Sequence, residues 1–154
     1  MATTYVSAAA VRNAVIDALT GRGGATINSG GYAYLALSST APSYNASGEI
    51  TGITEPVGQG YARKLIGHSS EQSTKMFSAA SQGATTNADE IHFDQATEGG
   101  TGWGAALTHW AIYPAATGGT PLMAGELTDS ITVDAGKVVI LKKGQVQISL
   151  QAKE

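Results

Sequence analysis

From Gly31 onward, apolar residues recur with a period of two, and clusters of Gly, Asn, Asp, Ser and Pro interrupt them about every 8–12 residues. Such a chain makes many short strands joined by tight turns. No crossover helices separate the strand candidates, so a parallel α/β sheet is not expected. Residues 32–37 alternate large aromatics with small or aliphatic side chains, which suits a strand with two different faces. Further strands are expected at 61–66, 76–80, 91–93, 107–113, 122–127, 130–133, 138–141 and 146–150. In the clean alternation of 107–113, Trp110 shares a side with Thr108 and Ile112 and is expected in the core. Gly118 and Gly119 signal a hairpin turn before the return strand. The polar stretch 38–56 reads as a long surface loop. The expected fold is mainly β, an antiparallel β-sandwich or jelly roll of about eight strands with one N-terminal α-helix.

That helix rests on a different period. Val11, Ala14, Val15, Ala18 and Leu19 recur at helical spacing and form one apolar stripe. Ser7 is placed to cap its start and Gly21 to end it, giving a helix over about 8–20. About twelve residues do not hold a helix alone in water, so this one must dock. It can close an open end of the β domain or pack on copies of itself. The chain therefore divides into a helical anchor segment, 1–24, and a β-sandwich domain, 25–154, with the stripe as the expected oligomer or docking interface.

Composition narrows the function. Only 14% of the 154 residues are charged and the net charge is −3, so no basic surface for nucleic acid is expected. No apolar run approaches the roughly 18 residues needed to span a bilayer, so no membrane insertion is expected. With no Cys, disulfides, thiolate zinc sites and Cys nucleophiles are excluded. The first ten residues lack a basic segment followed by an apolar block, so no signal peptide is expected. A chain this poor in charge gains little solubility from repulsion, which points to a surface covered by partners and to a homo-oligomer.

No catalytic, cofactor or metal site is expected. There is no G-x-S-x-G elbow, and Ala135-Gly136-Lys137 lacks the remainder of a phosphate loop. His68, His92 and His109 do not lie at ligand spacing. Asp89, Glu90 and Asp94 are the densest acidic group; paired carboxylates can cleave glycosides, but a charged turn beside a strand is the plainer reading. Aromatic faces can stack on sugars. Tyr44 and Trp103 are the candidate glycan contacts in an alternative reading as a carbohydrate-binding module for host-surface glycans. Against it, Trp103 lies between glycines, where a ring packs under a loop.

Several short motifs carry a family resemblance. Glu55 precedes Gly58-Gln59-Gly60-Tyr61-Ala62-Arg63; Phe77-Ser78-Ala79-Ala80, Gly83-Ala84, Asn87, Ile91 and Phe93 follow. The strongest block is Trp103-Gly104 with Thr108-His109-Trp110-Ala111-Ile112-Tyr113 and the run to Gly118-Gly119. In order and spacing these resemble small tailed-bacteriophage virion proteins, often labelled tail fibre or minor tail proteins. The resemblance covers roughly residues 32–150. It implies a non-enzymatic structural protein of the virion, attached to the capsid surface as a decoration protein or to the tail as a fibre or tip adaptor. It also implies partners among other phage virion proteins and copies of itself, a homotrimer among the options.

Overall fold

In a computed structural model, residues 4–6, 20, 31–68 and 75–149 are described. The expected helix, with Val11, Ala14, Val15, Ala18 and Leu19, lies outside these residues except for Thr20. The described part is mainly β and contains no helix. Its strands are β1 (Tyr5–Val6), β2 (Tyr32–Ser38), β3 (Ser43–Tyr44), β4 (Ile50–Thr51), β5 (Lys64–His68), β6 (Ala84–Thr86), β7 (Ile91–His92), β8 (Leu107–Tyr113), β9 (Met123–Ile131), β10 (Ile140–Leu141) and β11 (Gln147–Ser149). A five-stranded sheet runs in the order β1-β9-β8-β2-β5, and β10-β7, β11-β6 and β3-β4 form two-stranded ladders. Every ladder is antiparallel.

The large sheet is buried on both faces, and its register explains how. On one face Ala36 of β2 pairs with Ala111 of β8, which pairs with Ala124 of β9, beside Tyr5 of β1. Three small side chains in a row let backbone come close. Residues 39–56 use that space: Ile50, 2% exposed, and Ile53 pack on the alanines and on Tyr113. On the other face Leu35, Leu37, Trp110 and Ile112 form one cluster with Ile91, Phe93, Val139, Leu141 and Val146, residues of β7 and β10 or close to the short strands. Strict alternation sets Leu107 opposite to Trp110. A register shift between Leu107 and His109 carries it round to join the same cluster, as an extra residue in a ladder must.

Trp110 is wholly buried, and its Nε1–H donates to Glu126 O at 3.0 Å. Its register partner is Gly125. The indole occupies the room a side chain would take there.

Among the described residues two polar ones, Ser38 and Asn87, are buried, and both tie loops. Ser38 Oγ donates to Thr40 O (2.9 Å) and accepts from Thr54 N (2.9 Å), while Ser39 N donates to Thr54 O (3.0 Å). The two ends of the 39–54 loop are thereby clasped. Asn87 Nδ2 donates to Asp89 O (2.8 Å) and Lys142 O (2.9 Å), and its Oδ1 accepts from Val146 N at 3.0 Å. One side chain thus satisfies three backbone groups of two segments, as burial demands.

Several sequence expectations are corrected here. Residues 76–80 form no strand; Phe77 only bridges to Asn87. The separate strands expected at 122–127 and 130–133 are one, β9. The loop 38–56 is not merely a surface loop, because it covers a sheet face through Ile50 and Ile53 and carries β3 and β4. Tyr5–Val6, expected as part of a helical anchor, forms an edge strand of the large sheet.

Candidate functional site

The motif residues Gly60, Tyr61, Arg63, Trp103 and Gly118 converge on one region, although more than fifty positions separate the first from the last. A turn at Gly58-Gln59-Gly60 begins it. Gln59 adopts a left-handed φ of 53° and Gly60 one of 80°. A Cβ on Gly60 would stand 2.5 Å from Gln95 O, so the turn needs glycine for contact as well as for conformation. Seated this way, Gln59 O accepts from Trp103 Nε1 (3.1 Å) and from Thr97 N (3.0 Å). The Trp103 ring meets Tyr61 edge-on (5.2 Å, 85°) and Phe93 at 6.1 Å and 73°, a packing that suits the charge distribution of aromatic rings.

Tyr61 links this aromatic cluster to an ion pair. Its hydroxyl donates to Glu55 Oε2 (2.9 Å) and accepts from Leu37 N (3.1 Å). Arg63 binds Glu55 through Nε (3.1 Å to each carboxylate oxygen) and Nη2 (2.7 Å). Its Nη1 donates to Ala115 O (3.0 Å) and Gly118 O (2.8 Å), and its Cζ lies 3.4 Å from the centre of the Tyr113 ring. The Arg63 side chain is 8% exposed and that of Glu55 21%. A charge pair so enclosed persists only when nearly all its donors and lone pairs are met, as they are here. Burial, reinforced by the charge of Glu55, pushes the Tyr61 hydroxyl far above the ordinary tyrosine range. Burial and Glu55 raise Tyr113 as well, against a lowering by Arg63. The arrangement holds the 55–63 segment, the end of β8 and the 115–118 turn in one piece.

The other sequence candidates are scattered. Gly104 and Gly119 take left-handed φ values in exposed turns. Thr108 Oγ1 lies 2.8 Å from His109 Nδ1. Trp103 is 5% exposed and enclosed by Tyr61, Phe93 and Gln59, leaving no open ring face for a sugar. Tyr44 is 47% exposed; its ring lies 5.6 Å from that of Tyr5, and its hydroxyl accepts from Val6 N at 3.0 Å. Asp89, Glu90 and Asp94 each face a different partner, namely Lys143, His92 and Lys64. His109 lies 4.0 Å from Glu126, apart from His92 and its Glu90. Among the described residues no three His, Cys, Asp or Glu side chains are grouped to hold a metal ion.

The pairing of Glu55 with Arg63 was missed by sequence reasoning. The one hint in the sequence is that both residues belong to the same motif. Asn87 appeared only as a motif letter.

Residues 6–149 match the family model described as Podophage GP4 fiber I protein gp80. The chain belongs to that family. The gp80 fibre family is one of phage structural proteins, so the chain is a component of the virion and associates with other virion proteins. The match agrees with the resemblance to small tailed-phage proteins read from the motifs. It also reaches back to Val6, and so includes β1. No curated protein matches the chain.

Proposed function

We propose that this chain is a non-enzymatic subunit of the phage tail fibre that works as a homo-oligomer. The family match over residues 6–149 carries the reading, since the family is named for a fibre protein. The composition supports the oligomer: a chain with only 14% charged residues is suited to surfaces that meet other subunits. Large apolar side chains also stand exposed on separate elements, with Val57 93% exposed, Val138 49% and Ile140 43%. Leading into β10 the alternation is complete, with Val139 and Leu141 in the core and Val138 and Ile140 outside. The outer pair gives subunits an apolar strip to share. We read the two buried sheet faces as the layers of a β-sandwich spanning 25–154, with β1 added from the N-terminal segment.

Imaging particles that lack this protein tests the placement. Loss of fibre density together with loss of adsorption is expected. Intact tails with a destabilised or smoother capsid would sink it in favour of a decoration protein. A monomer in solution with no affinity for tail components would sink the oligomer. The exposed ring of Tyr44 favours a second reading, host-glycan contact. Glycan binding abolished by Tyr44→Ala would support it, and unchanged binding would remove it.

A further inference from the structure

An apolar groove of about 530 Å³ opens at one end of the large sheet, lined by Ala33, Ile66 and Ile112 from the sheet and by Phe77, Thr85 and Ile148 from the layer opposite. The chain leaves and re-enters the sheet at its margins. β1 ends at Val6, paired with Met123, which pairs in turn with Ile112 in the groove. β2 begins at Tyr32, one residue before the groove residue Ala33. Both ends of residues 7–30 are therefore fixed beside the same apolar opening. Those residues carry the stripe Val11, Ala14, Val15, Ala18 and Leu19.

We propose that this groove is the docking site for the stripe of the same chain. A helix of about twelve residues is about 18 Å long and cannot persist without burying its apolar side. The groove offers such a surface within reach of both tethers, so no second copy is needed to supply it. Lys75 also lines the groove and is opposite in sign to Asp17, which flanks the stripe. The stripe then faces its own β domain, and contacts between subunits fall to other surfaces such as Val138 and Ile140.

The absence of native Cys makes the test clean. Val15→Cys is combined with Ala79→Cys at the groove in the full chain, and the protein is oxidised. The expected product is an intrachain disulfide, seen as a faster-migrating monomer on a non-reducing gel. Asn13→Cys, off the stripe, should not link to the same partner. Disulfide-linked dimers as the main product would overturn the proposal by placing a second copy in the groove; absence of any stripe-specific link would overturn it outright. In a Cys-free background, Val15→Asp should raise the binding of an apolar dye severalfold and lower the melting temperature. Unchanged values of both would also overturn it.

Discussion

Gly125 lies against the indole of Trp110, so close that a Cβ at this glycine would stand 2.6 Å from Cζ2 and 2.8 Å from Cε2. The two are register partners on β8 and β9, and the ring fills the space above the glycine. The contact is made by the body of a buried ring, which cannot swing aside as the tip of a flexible side chain would.

Gly125→Ala should therefore destabilise the fold despite being the smallest available change. A cost of about 1–3 kcal/mol is expected from overpacking a closed core. Denaturant unfolding measures it. If the strain lies in this contact, pairing Gly125→Ala with Trp110→Leu should cost less than the sum of the single changes. Additive losses would show that the strain lies elsewhere.

Arg63→Lys should not behave as a conservative change. Lysine cannot bind both Glu55 oxygens while also reaching the carbonyls of Ala115 and Gly118. Removing one partner of a buried pair costs about 3–5 kcal/mol, and Arg63→Met should fall in that range. Thermal melts of Arg63→Met, Glu55→Gln and the double variant provide the check. The double variant should recover part of the loss, because neither charge is left alone.

Stability should fall at alkaline pH. The folded state holds the Tyr61 hydroxyl protonated well above its ordinary value of 10.0. Once the pH passes that value, the unfolded chain gives up this proton and the folded chain does not, so the equilibrium shifts toward unfolding. Below it the contribution is fully present. Tyr113, also raised, adds to the same trend. Unfolding free energy measured from pH 8 to 11 should decline above about pH 10, and Tyr61→Phe should decline less steeply. Parallel curves would refute the assignment to Tyr61.

Asn87→Ala should cost more than its size suggests. It leaves Val146 N and two carbonyls, Asp89 O and Lys142 O, without their side-chain partner. A buried group stripped of its hydrogen bond costs about 1–3 kcal/mol. Faster amide exchange at Val146 is expected, and an unchanged exchange rate would contradict the role.

Much of this architecture was legible before any coordinates. The alternation at 107–113 and the paired glycines at 118 and 119 predicted β8 and the hairpin to β9, and the burial of Trp110 followed from its position. What escaped was set by contacts between distant segments. A bulge moved Leu107 to the other face, which no period can foresee. Residues 38–56 looked polar because their two anchoring isoleucines are sparse, and their docking depends on an alanine row assembled from three separate strands. The Glu55–Arg63 pair needs the hairpin carbonyls to complete it, and spacing of eight residues carries no such information. The glycines beside Trp103, by contrast, point to a ring packed under a loop, and the ring is 5% exposed. Those same glycines let the neighbouring backbone close over it, with a Cβ on Gly102 standing 2.2 Å from Val133 O.

The clasp formed by Ser38, Ser39 and Thr54 separates what the 39–54 loop displays from what holds it. Its ends are tied by hydrogen bonds and its underside by Ile50, while Asn45, Ala46 and Ser47 at the tip are exposed and lie outside every strand. Sequence drift at that tip is thereby uncoupled from folding. Substitutions can therefore accumulate along this stretch of the surface, residue by residue, on an unaltered chassis.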